Sequence, residues 1–213
     1  RLVFNRERVC SPALFVKKKR YAIRVRDHEG KRVDKIKTVG LDVVRSTFPF
    51  AFKTYLTHII NMILSDDFKS AKLLDYIAEK HRDAMKETAM NLGKGSTLKD
   101  LPKWDDFDRK PFRFSKGTPA HYKAGLAYND LFDRMEINDK FLFNKFRIGD
   151  KIRWVYLRKN PYGLKTIGFP MEDCPMELSE FANAYINRKQ QWEAEFTKKA
   201  EVVLNCIGLS MPS

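Results

Sequence analysis

Residues 21–25 follow the period of two that is typical of a half-buried β-strand, and they lie in a basic strand predicted over residues 15–27. Tyr21, Ile23 and Val25 are its regularly spaced apolar members, and we expect their side chains to point inward. Four successive cations at positions 17–20 lead directly into this strand. The pattern therefore predicts a rigid strand edge that carries a dense positive charge.

Two further strands are predicted beside this one. Residues 2–10 form the first, and Ser11-Pro12 is expected to break it. Residues 28–31, His-Glu-Gly-Lys, contain the glycine that a tight hairpin turn uses for positive φ, and residues 32–37 return as a strand. The N-terminal part is therefore predicted to be a small antiparallel hairpin region.

Farther along the chain, apolar residues recur at helical spacing. Ser46 and Thr47, followed by Pro49, indicate a helix start with a hydroxyl cap and a proline in the first turn. This first helix is predicted to end at residue 64. Three more helices are predicted in the same way, over residues 68–90, 119–135 and 178–207. Residues 93–117 lack steady periodicity and are predicted to form a long ordered loop.

Two turn motifs interrupt the helical pattern of the C-terminal part. Gly149-Asp150-Lys151 precedes a strand-like run at 152–157, and Asn160-Pro161-Tyr162-Gly163 precedes another at 165–169. Together they predict a short β-hairpin. The fold class is therefore predicted to be α+β, a small antiparallel hairpin region followed by a mainly helical domain with one short hairpin.

The charge of the chain is large and unevenly distributed. The 213 residues carry a formal net charge of +14, which points to an anionic partner. Residues 1–47 hold fourteen Lys or Arg and five Asp or Glu, a net +9. Four adjacent cations with Tyr21 directly behind them suit the closely spaced phosphates of a nucleic acid. The alternative is a solvated charge run before a surface strand.

The cysteines and the hydropathy exclude several classes of protein. Cys10, Cys174 and Cys206 are odd in number and widely spaced, so they suggest neither a disulfide framework nor a zinc site. A reducing cytoplasm fits this usage. No apolar run approaches the roughly 20 residues that a membrane-spanning helix needs, and no signal peptide is found, so no membrane partner is expected.

The sequence shows no arrangement of possible metal ligands that is typical of a metal site. Asp27 and Glu29 have the bare spacing of a metal-binding carboxylate pair, but they lie at a hairpin tip without further acidic residues nearby. His58 and His81 fall within predicted helices, where a lone histidine is more often structural than a ligand. We therefore expect no metal site and no cofactor bound by this chain.

The motif Lys18-Lys19-Arg20-Tyr21 is followed by Gly40-Leu41-Asp42 and by Ser46-Thr47-Phe48-Pro49. In order and spacing, these segments resemble the end of the palm domain of family B DNA polymerases, most closely those of tailed bacteriophages. The resemblance implies that the four-residue motif lies on a palm hairpin and grips the primer strand near its growing end. It also implies that the Ser-Thr-Phe-Pro segment opens the thumb domain.

Three later segments extend the resemblance into the thumb. Asp100-Leu101-Pro102-Lys103-Trp104 and the stretch 116–123 are similar to thumb segments that approach the duplex backbone, and residues 160–163 are similar to a thumb turn. The DNA-binding residues implied there are Lys103, Trp104, Lys116, His121 and Lys123. Trp104 stands where the family has tyrosine, and its alternative role is that of a packed aromatic residue.

The resemblance covers nearly the whole chain and implies two parts, the end of the palm at 1–47 and the thumb at 48–213. The family's catalytic Asp-Thr-Asp-Ser stretch is not in this sequence. No catalytic residue is therefore assigned here, and Mg²⁺ is expected in a palm segment outside it. We expect the chain alone to be inactive and to be a fragment or the C-terminal part of a split polymerase.

The partners implied are a primer-template duplex, the exonuclease, fingers and palm part of the polymerase, and a sliding clamp. The clamp is expected to bind only through a C-terminal peptide that this sequence does not reach. The implied location is the cytoplasm of a phage host cell. Two alternatives stay open: a stand-alone basic RNA- or DNA-binding module, and a self-sufficient nuclease, which would need a cluster of carboxylates.

Overall fold

A computed structural model describes residues 8–99 and 117–212. In chain order its elements are β1 (Arg8–Lys17), β2 (Arg20–His28), β3 (Lys31–Val39), α1 (Phe50–Ile63), α2 (Ser70–Ala84), α3 (Ala89–Leu92), β4 (Lys94–Thr97), α4 (Ala120–Arg134), β5 (Lys151–Tyr156), β6 (Thr166–Pro170), α5 (Met176–Tyr185), α6 (Arg188–Trp192) and α7 (Lys198–Leu204). The strands form two antiparallel sheets, ordered β1-β2-β3 and β4-β5-β6. The predicted α+β class is confirmed. None of the described helices is long and apolar enough to cross a membrane.

The chain divides into two compact units. One comprises the described parts of Arg1–Asp83 and Ala194–Ser213, and the other comprises the described part of Ala84–Glu193. The division at residue 47 was inferred from the resemblance to polymerase domains rather than from compactness, and it stays a prediction.

The first unit contains the sheet β1-β2-β3, whose hairpin between β2 and β3 was predicted correctly. Glu29 and Gly30 form the two-residue loop, with φ of +52° and +80°. Two positive φ values in such a loop match the right-handed twist of the strands it joins, and glycine at the second position favours them. The Asp27 carboxylate accepts a hydrogen bond from the Gly30 N–H at 3.0 Å and closes the turn.

The expected break at Ser11-Pro12 was wrong, because β1 continues through it. The pairing of β1 with β2 is irregular between Cys10 and Ala13, on either side of the proline. Among the strands that the structure describes, β1 pairs only with β2, so it lies at the edge of the sheet β1-β2-β3. Proline is tolerated at edges and bulges because its missing N–H need not join a ladder there.

The expectation of one basic strand over 15–27 was also wrong. β1 ends at Lys17, Lys18 and Lys19 form a turn, and β2 begins at Arg20. The predicted inward set is only partly correct, since Val25 is 1% exposed whereas Tyr21 and Ile23 are half-buried.

Ala22, which lies between the predicted inward residues Tyr21 and Ile23, is fully buried. Its cross-strand neighbour Leu14 is buried with it. Both faces of β2 therefore bury a residue, and strict alternation between a buried and a solvated face does not describe such a strand.

An aromatic cluster forms the centre of the helical part of the first unit. Phe52 on α1 is fully buried, and its ring centroid lies 5.4 Å from that of Phe196. Helix α1 begins after Pro49, which is its N-cap and makes no side-chain cap hydrogen bond, so the hydroxyl cap expected at Ser46 and Thr47 was wrong. Proline's fixed φ suits a helix start without such a cap.

The second unit contains the sheet β4-β5-β6 and the helix α4. The predicted hairpin is confirmed as β5 and β6, and the predicted helix at 119–135 as α4. Gly168 on β6 lies so close to α4 that a Cβ built on it would be 3.1 Å from the Ala124 carbonyl oxygen. Strand β4 was missed because its sequence, Lys-Gly-Ser-Thr, has no apolar alternation; it is defined by pairing with β5.

Two helices predicted as continuous are broken. The predicted helix 68–90 is α2 and α3, because Thr88 caps a new helix by accepting a hydrogen bond from the Asn91 N–H at 3.3 Å. The predicted helix 178–207 breaks at Ile186, which forms a β-bridge with Leu157. The Asn187 side chain then caps α6. A π-helical turn over Glu193–Thr197 separates α6 from α7.

Two phenylalanines of α1 provide a matched test of the core of the first unit. Phe52→Ala should lower the free energy of unfolding by about 3–5 kcal/mol, because the vacated volume next to Phe196 is only partly refilled. Phe50→Ala should change it by less than about 0.5 kcal/mol, since Phe50 is 60% exposed. Urea denaturation followed by circular dichroism measures both, and equal losses would contradict this packing.

Candidate nucleic-acid interface

The turn between β1 and β2 presents the predicted cationic motif. Lys17 and Arg20 are paired across the hairpin, and Lys18 and Lys19 occupy the turn itself. Lys17, Lys18 and Lys19 are exposed. Lys19 has a φ of +59°, in the left-handed region that non-glycine residues seldom occupy. The backbone thus projects consecutive lysines into solvent from the end of a paired hairpin.

An aromatic pair lies directly behind the turn. Phe15 and Tyr21 are cross-strand neighbours, and their ring centroids are 5.9 Å apart. Phe15 is 71% exposed, whereas Tyr21 is half-buried. The site therefore combines flexible positive charges with an accessible apolar surface.

Arg20, the third cation of the motif, is bound within the protein. Its Nε donates to the Gly40 carbonyl at 3.2 Å, and its Nη2 donates to Asp42 Oδ2 at 2.9 Å. Asp42 is 8% exposed, and its other carboxylate oxygen lies 3.3 Å from Arg45 Nη1. Arg20 is therefore less available to an external phosphate than Lys18 and Lys19.

Arginines elsewhere on β2 are also held by carboxylates. Arg24 makes two hydrogen bonds of 2.7 Å to Asp34, and Arg26 binds Asp66. The hydrogen bond from Arg24 lowers the pKa of Asp34, and the one from Arg26 lowers the pKa of Asp66, so both carboxylates stay ionised.

Lysines of the same sheet face solvent instead. The exposed ones are Lys17, Lys18, Lys19, Lys31, Lys35 and Lys37. The arginines of β2 therefore bind carboxylates within the protein, and most of the outward charge of the sheet comes from lysines, together with Arg8 on β1 and Arg32 on β3.

His121 and Lys123 lie together at the beginning of α4, in the second unit. Both are half-buried, and the His121 ring lies 4.2 Å from the ring of Tyr122. Burial lowers the pKa of His121, and the charge of Lys94 lowers it further. The imidazole is therefore neutral at neutral pH and can offer a phosphate a hydrogen bond but not a charge.

The other implied thumb residues, Lys103, Trp104 and Lys116, lie outside the described residues, so their DNA-binding roles stay predictions. The described part brings the predicted site residues together in two groups, the motif 18–21 and the pair on α4.

The family model for DNA polymerase family B matches residues 2–205. The chain belongs to DNA polymerase family B. A comparison with curated proteins gives no match. Membership of this family supports a polymerase-related role for the chain.

A family B polymerase uses Mg²⁺ held by carboxylates, and the described part of this chain does not fit that requirement. Across residues 8–99 and 117–212, no three His, Cys, Asp or Glu side chains lie close enough to hold a metal ion. Of the two carboxylates at the hairpin tip, Asp27 has a structural role, since it accepts a hydrogen bond from the Gly30 N–H. His58, likewise, packs its ring 4.6 Å from that of Tyr76.

Sequence reasoning missed the contacts of three residues beside the basic turn in this family B chain. Gly40 and Asp42 were noted only as part of a family segment, and Phe15 was not noted as a partner of Tyr21. The signal available was the spacing of Gly40-Leu41-Asp42 after the motif, but the contacts span 20 and 22 residues and need the three-dimensional fold.

The titration of His121 tests the surroundings of the second group. Its pKa, measured by NMR, should lie below the ordinary value of about 6.5. Lys94→Ala should raise it because a repulsive charge is removed, whereas Lys94→Arg should leave it low. Because the pKa of His121 is lower in the folded wild-type chain than in the unfolded chain, the unfolded chain binds the His121 proton more tightly. The second unit should therefore lose stability as the pH falls below about 6.5. A His121 pKa at or above that value would contradict the description.

Proposed function

We propose that this chain is the duplex-gripping C-terminal part of a replicative family B DNA polymerase of bacteriophage type. In this proposal residues 1–47 are the end of the palm and residues 48–213 are the thumb. The observation that carries it is the exposed Lys18-Lys19 turn, held at the end of a paired hairpin in a chain of this family.

The two turn lysines are proposed to neutralise primer-strand phosphates near the growing end. Lysine ammonium groups are compact charges on flexible stems, so they can follow a phosphate backbone without reading base identity. A polymerase needs this property because it must copy any sequence. Tyr21 is proposed to pack beside the minor groove, with Phe15 extending the apolar surface.

Arg20 was predicted to contact phosphate as well, and this stays a prediction. Its ion pair with Asp42 supports a smaller contribution of Arg20 to phosphate binding than of Lys18 or Lys19.

The thumb residues are proposed to hold the duplex farther from the growing end. The set is Lys103, Trp104, Lys116, His121 and Lys123. Because His121 is neutral at neutral pH, its proposed contribution is a hydrogen bond to a phosphate oxygen. DNA binding by this region should therefore depend less on pH than it would if His121 bound the phosphate as a charged imidazolium.

Nucleotidyl transfer is assigned to other parts of the polymerase. The Mg²⁺-binding carboxylates are expected in the remaining palm, and the exonuclease and fingers complete the enzyme. The sliding clamp is proposed as a further partner of the polymerase. This chain then contributes retention of the primer-template duplex rather than chemistry.

The salt dependence of duplex binding tests the grip directly. Replacing Lys18 and Lys19 by alanine should flatten the plot of log affinity against log salt by up to about 1.8, because each phosphate contact releases about 0.9 counterion. Fluorescence anisotropy with a recessed-end duplex measures the slope.

The matched control replaces Lys35 and Lys37, two exposed lysines of β3 in the same sheet. This variant loses the same charge but should change the slope less. If both double variants flatten the plot equally, the turn is only part of a diffuse positive surface.

Substrate preference separates the proposal from a stand-alone basic module. A palm and thumb should bind a recessed-end duplex more tightly than a single strand of the same length, and Lys18→Ala with Lys19→Ala should narrow the difference. Equal affinity for the two DNA forms would favour the basic module.

A further inference from the structure

The basic turn is in direct contact with the segment that follows β3. Gly40 has a φ of +65°, and a Cβ built there would overlap the Lys19 carbonyl oxygen. The same Cβ would lie 3.2 Å from Arg20 Cγ. Position 40 therefore requires glycine for two independent reasons, its backbone conformation and its close approach to the turn.

The segment that approaches the turn is itself anchored. Leu41 and Val43 are 2% and 6% exposed and belong to the core of the first unit. Between them, Asp42 accepts from Arg20 at 2.9 Å and pairs with Arg45 at 3.3 Å. Core burial thus fixes the backbone that carries the carboxylate, and the carboxylate fixes the Arg20 guanidinium.

We infer that Gly40 and Asp42 are positioning residues for the phosphate-contacting turn, acting through Lys19 and Arg20. This inference rests on the proposed duplex grip. In it, Arg20 holds the turn in place through Gly40 and Asp42, and Lys18 and Lys19 contact the DNA. A lysine side chain is flexible, so the place where its charge can reach depends on where its backbone is held.

The first test compares two glycines of the same sheet. Gly40→Ala adds backbone strain and a collision with Lys19, whereas Gly30→Ala, at φ +80°, adds strain with nothing within 4 Å of the new Cβ. For binding to the recessed-end duplex, Gly40→Ala should flatten the salt slope by about one to two phosphates, roughly 0.9 to 1.8. Gly30→Ala should leave the slope unchanged, and equal slopes for the two variants would overturn the inference.

The second test separates positioning from simple electrostatics. Asp42→Asn removes a negative charge beside the turn, so an electrostatic effect alone would tighten DNA binding and steepen the slope. A positioning role predicts the opposite, weaker binding and a flatter slope, because Arg20 loses its ion pair with Asp42 and keeps only its hydrogen bond to the Gly40 carbonyl. Asp34→Asn, which removes a negative charge from β3, is the control and should not flatten it. A steeper slope for Asp42→Asn would overturn the inference even if Gly40→Ala failed to fold.

A double-mutant cycle distinguishes failure of this inference from failure of the proposed function. If Asp42 affects DNA binding by positioning the turn that carries Lys18 and Lys19, Asp42→Asn should cause no further loss of affinity in the Lys18→Ala, Lys19→Ala background. Additive losses would overturn the inference alone. An unchanged slope for the lysine variant itself would overturn the proposed function, whatever Asp42 does.

Discussion

The ion pair between Arg20 and Asp42, together with the close approach of Gly40 to Lys19, ties the basic turn to the core of the first unit. Arg20 begins β2, and Asp42 lies in the short segment that leads from β3 toward α1. A buried carboxylate is costly unless it is paired, and Asp42 has two arginine partners. A hairpin end that would otherwise be free is therefore held to the protein interior.

This constraint explains how cations are distributed over the sheet. Arg20, Arg24 and Arg26 each bind a carboxylate, so their charges are largely used within the protein. Lysines, whose flexible ammonium groups are more strongly hydrated, remain exposed. The positive surface of the sheet is thus provided mainly by lysines, with Arg8 and Arg32 also exposed, whereas the arginines of β2 are paired with carboxylates.

Local patterns predicted the elements whose shape is decided locally. The hairpin at 28–31, the helix α4 and the hairpin of β5 and β6 were found because glycine turns and regular periodicity mark them. The elements that were predicted wrongly or missed are those whose structure is decided by contacts between residues distant in sequence. Leu157 pairs with Ile186 and breaks a helix whose aromatic spacing continues across the gap, and β4 exists because β5 pairs with it.

The same limit applies to the site. The charge run and the family resemblance identified the motif 18–21, but the period of two placed it within a strand. The left-handed φ of Lys19 produces a turn there instead. Gly40 could be recognised as part of a family segment, yet its contact with the Lys19 carbonyl depends on the pairing of β2 with β3.

Phosphate ethylation interference on a recessed-end duplex tests most directly whether the turn lysines contact the primer strand. Ethylating a phosphate removes its charge, so binding is lost wherever that phosphate contacts the protein. Interference is predicted at successive primer-strand phosphates near the recessed end, and it should disappear there when Lys18 and Lys19 are both replaced by alanine. The account would be contradicted if the lysine variant kept the wild-type interference pattern near the recessed end.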